Sequence, residues 1–218
     1  MGQDDDLVVK WIRTGGVCGL LGVGAYVAAA FAPLPDVLGY AAAFAFGPLL
    51  AIGAIGLYYC LSLERRDPLV QIAAFFAAAG GVTVLIMLTT QQAIFGLMKR
   101  AIAEAGDPAA ADIHRKIAAG LNAVHFGIDI AWDVLISVAV VLFGIAMLRQ
   151  PRFGRVLGGI GVVLGGLLLA FNLWYFPTPP ASAESIDWGP FVAVWFVVIF
   201  VRLLGTEKWA RGRLAGET

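Results

Sequence analysis

Apolar and polar positions in this chain are sorted into long blocks. Continuous runs rich in Ala, Leu, Val and Gly occupy 15–32, 37–61, 69–98, 117–148, 156–176 and 189–204, and most charged residues gather between them. A helix needs about 20 mostly apolar residues to cross about 30 Å of hydrocarbon, so all six runs qualify as spans. The third and fourth are longer than a span requires, which predicts tilt or projection into the connection between them. A transmembrane barrel would instead need short strands with apolar and polar residues in alternation. The pattern therefore predicts an all-α, polytopic membrane protein, a bundle of six transmembrane helices at 15–204. It is flanked by an N-terminal tail at 1–14 and a C-terminal tail at 205–218. The longest connection, 99–116, reads as a helical hairpin: 101–105 extend the third helix toward Gly106, and 109–116 begin the fourth early.

Composition strengthens this reading. Hydrophobic residues make up 60% of the chain and charged ones 14%, against about 25% charged in an ordinary globular domain. Mean hydropathy is +0.86. A formal net charge of +0 and the lack of a dense basic stripe exclude nucleic acid as a partner.

Charge distribution predicts orientation, because Lys and Arg stay on the cytoplasmic side of short loops. Lys10, Arg13, Arg65, Arg66, Arg149, Arg152, Arg155, Arg202, Lys208, Arg211 and Arg213 fall on one side, and Lys99, Arg100, Arg115 and Lys116 on the other. Both termini are expected in the cytoplasm, with outer connections at 33–36, 99–116 and 176–187. Asp4, Asp5 and Asp6 carry the wrong charge for the region preceding a cleaved export signal. Cys18 and Cys60 lie near the cytoplasmic ends of their helices, outside any Cys-x-x-Cys motif, and read as packing residues in a reducing compartment. The pairs Gly15/Gly19 and Gly161/Gly165 form small-xxx-small faces, suited to close packing within the bundle or to a contact between copies.

One apolar segment carries unexpected chemistry. His125, Asp129 and Asp133 are spaced by four residues in the fourth span, extended by Asn122 and Ser137. At about 100° per residue, each step of four turns only about 40°, so these side chains share a helix face. Counting about 20 residues back from Arg149 puts Asp129 near the outer boundary of the hydrocarbon and Asp133 inside its outer half. An aspartate exposed to lipid near the bilayer centre costs about 2.5 to 3.5 kcal/mol on insertion scales. The stripe is thus expected to face the bundle interior or a wet cavity. Thr89, Thr90, Gln91 and Gln92 on the third helix, with Asn172, Trp174 and Tyr175 on the fifth, are candidates to complete a polar pocket.

Two readings stay open for these residues. In the first, His125, Asp129, Asp133, Asn122, Gln91, Gln92 and Asn172 bind a small hydrophobic or amphipathic ligand, a proton or a cation. In the second, the stripe only cross-links helices, and the chain is an accessory or scaffolding subunit of a larger membrane complex. A metal held by His125, Asp129 and Asp133 is a weaker third reading, that of an intramembrane metalloenzyme. Its spacing is unspecific, its three residues only just meet the usual need for three or four ligands, and no second histidine lies in a span. A bis-histidine haem is not expected from His114 and His125, and any other cofactor stays unknown. Nucleophilic hydrolysis lacks a Ser or Cys within reach of His125. Trp132, Trp174, Tyr175, Trp188 and Trp195 could line a pocket, although Trp and Tyr also gather at membrane interfaces; for Trp174, Tyr175 and Trp188 the interfacial reading is preferred.

The phrases at 127–134 (GIDIAWDV), 147–154 (MLRQPRFG) and 172–180 (NLWYFPTPP) resemble an uncharacterised family of bacterial six-helix integral membrane proteins, of the domain-of-unknown-function type. The resemblance covers about the last 90 residues well and the first half by layout. It implies a multi-pass protein of the bacterial inner membrane and supplies no activity, cofactor or site residue.

Overall fold

The computed structural model describes residues 3–216. It is all-α, and its helices begin and end where local chemistry dictates. α1 (Gln3–Phe31) opens with Asp4, Asp5 and Asp6 in its first turn, where carboxylates favour the positive end of the helix dipole. The helix therefore extends well beyond the span expected at 15–32. α2 (Asp36–Ser62) follows a short Pro-bracketed link. α3 (Pro68–Ala103) and α4 (Pro108–Met147) start alike: proline occupies the first turn, where no N–H is needed, and the preceding aspartate caps it. Asp67 accepts from Leu69 N at 3.0 Å and Asp107 from Ala110 N at 2.8 Å. α5 (Gly154–Tyr175), a 3-10 turn at Pro180–Ala183 and α6 (Gly189–Leu204) complete the bundle.

The segment after α6 bends by 49° into α7 (Glu207–Leu214), a helix within the tail expected at 205–218. Arg211 bridges Glu207 at 3.0 Å and Asp6 at 3.6 Å, Arg213 reaches Glu64 at 3.7 Å, and the Arg152 guanidinium lies 5.4 Å from the Trp209 ring centre. These contacts tie the C-terminal segment to α1 and to the α2–α3 link, so both described ends of the chain lie at one end of the bundle. The α3–α4 hairpin marks the opposite end.

Five helices are long and apolar enough to cross a membrane, and α6 with α7 makes a sixth when the bent pair is taken as one span. At 1.5 Å per residue, α3 and α4 are about 54 and 60 Å long, far beyond the hydrocarbon thickness. Neighbours in sequence pack side by side from α1 to α5, and α6 closes the ring against α5 and α1.

Glycines set how closely these helices approach. A Cβ on Gly15 would stand 2.5 Å from Gly56 Cα, one on Gly144 2.7 Å from Gly158 O, and one on Gly47 would collide with Gly81 O. Gly19 abuts Phe200, Gly161 faces Trp195 and Gly165 faces Ser137 O. Both small-xxx-small pairs are therefore filled from within the chain. Trp195 Nε1 donates to Leu157 O at 2.9 Å, satisfying an indole that packs between α6 and α5. Cys18 and Cys60 are free thiols, and Cys60 Sγ lies 3.4 Å from Thr206 Oγ1 beneath the bend into α7.

Candidate functional site

The stripe on α4 turns as it descends. Four-residue steps each rotate about 40°, so across the eight residues from His125 to Asp133 the direction changes by about 80°. That rotation hands the stripe from one neighbouring helix to another. His125 points to α3, where its Nε2 lies 3.2 Å from Met87 Sδ. Asp133 points to α5, where Asn172 Nδ2 donates to its Oδ2 at 2.9 Å. Asn172 is wholly buried and its Nδ2 also donates to Leu168 O at 3.0 Å. The pair is a polar pin between α4 and α5, inside an otherwise apolar contact.

Asp129, half-buried between these two, opens onto a cleft of about 850 Å³ between α3 and α4 at the hairpin end. Gln91, Asn122, His125 and Asp129 form its polar part. Ile94, Phe95, Met98, Ile102 and Phe126 supply apolar walls, Lys99 lies at the rim, and Ser182 of the 3-10 turn reaches in from the side. On α4 the lining runs from Ala118 to Asp129, an axial distance of about 16 Å. No family model, curated protein or solved structure matches the chain.

Gln91 and Gln92 part company. Adjacent residues on a helix point about 100° apart, so Gln91 lines the cleft while Gln92 turns to a separate groove of about 250 Å³ between α2 and α3, with Tyr40, Phe44, Thr89 and Arg100. Thr89 meets its hydroxyl's need locally by donating to Leu85 O at 2.7 Å. Trp174 is 83% exposed and stands away from the cleft. Trp188 packs instead between Phe171 and Phe191, with ring centres 5.9 and 5.4 Å away.

The acidic groups are not offset by bases. Among the described residues no ion pair joins Lys or Arg to Asp129 or Asp133; the ion pairs involve Asp6, Glu64, Asp112 and Glu207. Asp187 adds a third carboxyl within electrostatic range of both, while its Oδ1 accepts from Gly189 N at 2.8 Å. Tyr26 of α1 stands in the same field, its ring tilted against Phe46 with centres 4.8 Å apart, and Phe46 in turn meets Trp132 at 6.2 Å.

His125 Nε2 belongs to Met87 and Asp133 to Asn172, so the three proposed metal ligands are divided among different partners. Among the described residues no three His, Cys, Asp or Glu side chains form a group able to hold a metal ion. Buried polar atoms in this region without a hydrogen-bond partner include His125 Nδ1, Trp132 Nε1, Ser137 Oγ, Asn172 Oδ1 and Trp188 Nε1.

Met87, Lys99, Ser182, Tyr26 and Asp187 had no signal in the sequence to mark them as part of this region. A thioether, an exposed lysine and loop residues acquire meaning only once helix register brings them to α4.

Proposed function

We propose that the chain is a six-span protein of the bacterial inner membrane, with both termini in the cytoplasm, whose outer cleft between α3 and α4 receives a small amphipathic ligand. The amphipathic lining carries this reading: an apolar wall from Ile94 to Ile102 leads to a polar floor of Gln91, Asn122, His125 and Asp129. Ligand sites combine apolar surface with a few converging polar groups in this way. Ionisable residues at membrane depth favour a functional role over a filler one.

The orientation rests on the positive-inside rule. Only Lys99, Arg100, Arg115 and Lys116 of the 15 basic residues lie at the hairpin end, and Asp112 is bridged to both Arg115 and Lys116. The bacterial setting is taken from the resemblance noted for 127–134, 147–154 and 172–180.

Thiol accessibility tests the reading. In a background carrying Cys18→Ser and Cys60→Ala, a single Asn122→Cys should react with a membrane-impermeant maleimide added outside spheroplasts, and Ala118→Trp should slow that reaction by filling the cleft. Labelling that requires permeabilised membranes would overturn the outward orientation. Labelling unaffected by Ala118→Trp would overturn the cleft.

A further inference from the structure

The chemistry of the cleft floor narrows its occupant, an inference that rests on the ligand-binding reading above. His125 is 6% exposed, so its ring is fixed by its surroundings. Its Nε2 lies 3.2 Å from Met87 Sδ, and a thioether sulfur can only accept a hydrogen bond. Nε2 therefore carries the hydrogen. In the neutral ring Nδ1 is then an acceptor, and it has no partner among the described residues. One turn away, Asp129 offers carboxylate oxygens to the same cleft. The floor thus offers the Asp129 carboxylate as its open acceptor, with the His125 ring beside it and Nδ1 closed off from solvent. It is also acidic, since Asp133 and Asp187 lie within electrostatic range and no Lys or Arg is ion-paired with any of the three among the described residues.

Lys99 carries the opposite charge at the rim, several helical turns from Asp129. A cation is repelled at the rim and attracted at the floor, while an anion meets the reverse. The apolar residues Ile94, Phe95 and Met98 separate the two ends. We infer that the cleft takes an amphipathic organic ammonium, its N–H head on the Asp129 carboxylate and its apolar body along the α3 wall toward the rim. Charge and hydrogen-bond direction agree, because an ammonium is all donor and no acceptor.

The test uses the full chain in lipid nanodiscs and two probes with the same body and opposite charge, phenylbutylamine and phenylbutyrate, titrated calorimetrically against blank nanodiscs. The amine is expected to bind in preference. Asp129→Asn, which keeps the side chain's shape, should weaken it by about tenfold or more, as loss of a charge-assisted hydrogen bond implies. Asp129→Glu should restore most of the affinity, and Lys99→Gln should not weaken it. Preferential binding of the carboxylate, lost in Lys99→Gln, would overturn the ammonium assignment. If that binding is also blocked by Ala118→Trp, the cleft survives as a ligand site and only the ligand class falls. Failure of both probes to bind the wild type would overturn both.

Discussion

The α4–α5 pin offers a direct measure of what the buried stripe contributes. Replacing Asn172 by Leu keeps a side chain of similar bulk while removing the Nδ2 that donates to Asp133 Oδ2 at 2.9 Å and to Leu168 O at 3.0 Å. Asn172 is 0% exposed and Asp133 8%, so water cannot readily replace the lost donor. A buried polar group left unsatisfied costs about 1 to 3 kcal/mol. Hydrogen bonds between membrane helices average about 0.6 kcal/mol and reach about 1.7, because the membrane-embedded unfolded state also finds partners. Asn172→Leu alone should therefore cost about 1 to 2 kcal/mol. Asp133→Leu alone should cost less, since Asn172 keeps its bond to Leu168 O and a costly buried acid is removed. The double variant should be more stable than the sum of the two single losses implies, with a coupling of about 0.6 to 1.7 kcal/mol. Reversible unfolding by sodium dodecyl sulfate in mixed micelles, followed by tryptophan fluorescence, reads all four proteins of the cycle. Additivity to within about 0.3 kcal/mol would refute a direct Asp133–Asn172 contact.

Two further perturbations probe the bundle away from the cleft. Gly47→Ala drives a methyl into Gly81 O on the facing helix and should cost about 1 to 3 kcal/mol, whereas Gly24→Ala meets nothing within 4 Å and should be neutral or stabilising by up to about 1 kcal/mol; equal effects on thermal stability in the same detergent would contradict the α2–α3 packing. Arg211→Ala removes the bridges to Glu207 and Asp6, so limited proteolysis near Gly205 should accelerate, and raised salt should have the same effect on the wild type by screening these partly exposed pairs. Cleavage rates insensitive to both changes would mean that α7 is held by Trp209 and its apolar contacts alone.

The all-α character and the apolar spans were legible because a membrane helix leaves a signal local in sequence: an unbroken apolar run of sufficient length. The hairpin between α3 and α4 was legible for a similar reason, since Gly106 is a stop signal that works without tertiary help, whereas the Asp107 cap and the start at Pro108 emerged from the structure. What lay beyond the sequence was rotation and register. Nothing local distinguishes Gln91 from Gln92, yet one lines the cleft and the other the groove behind it. Likewise, a shared face on α4 was readable from spacing, but its slow turn from Met87 on α3 to Asn172 on α5 depends on where those helices stand. The helical continuation at both ends, into Asp4 to Asp6 and through α7, comes from capping charges and ion pairs between segments distant in sequence, which hydropathy does not register.

The most direct test of a ligand-binding cleft is native mass spectrometry of the protein released gently from its own membrane, comparing wild type with Ala118→Trp. A reproducible small added mass on the wild type, lost when the cleft is filled although the variant elutes and melts as a folded protein, is the expected result. A wild-type chain without any small-molecule adduct, or the same adduct on both proteins, would contradict it.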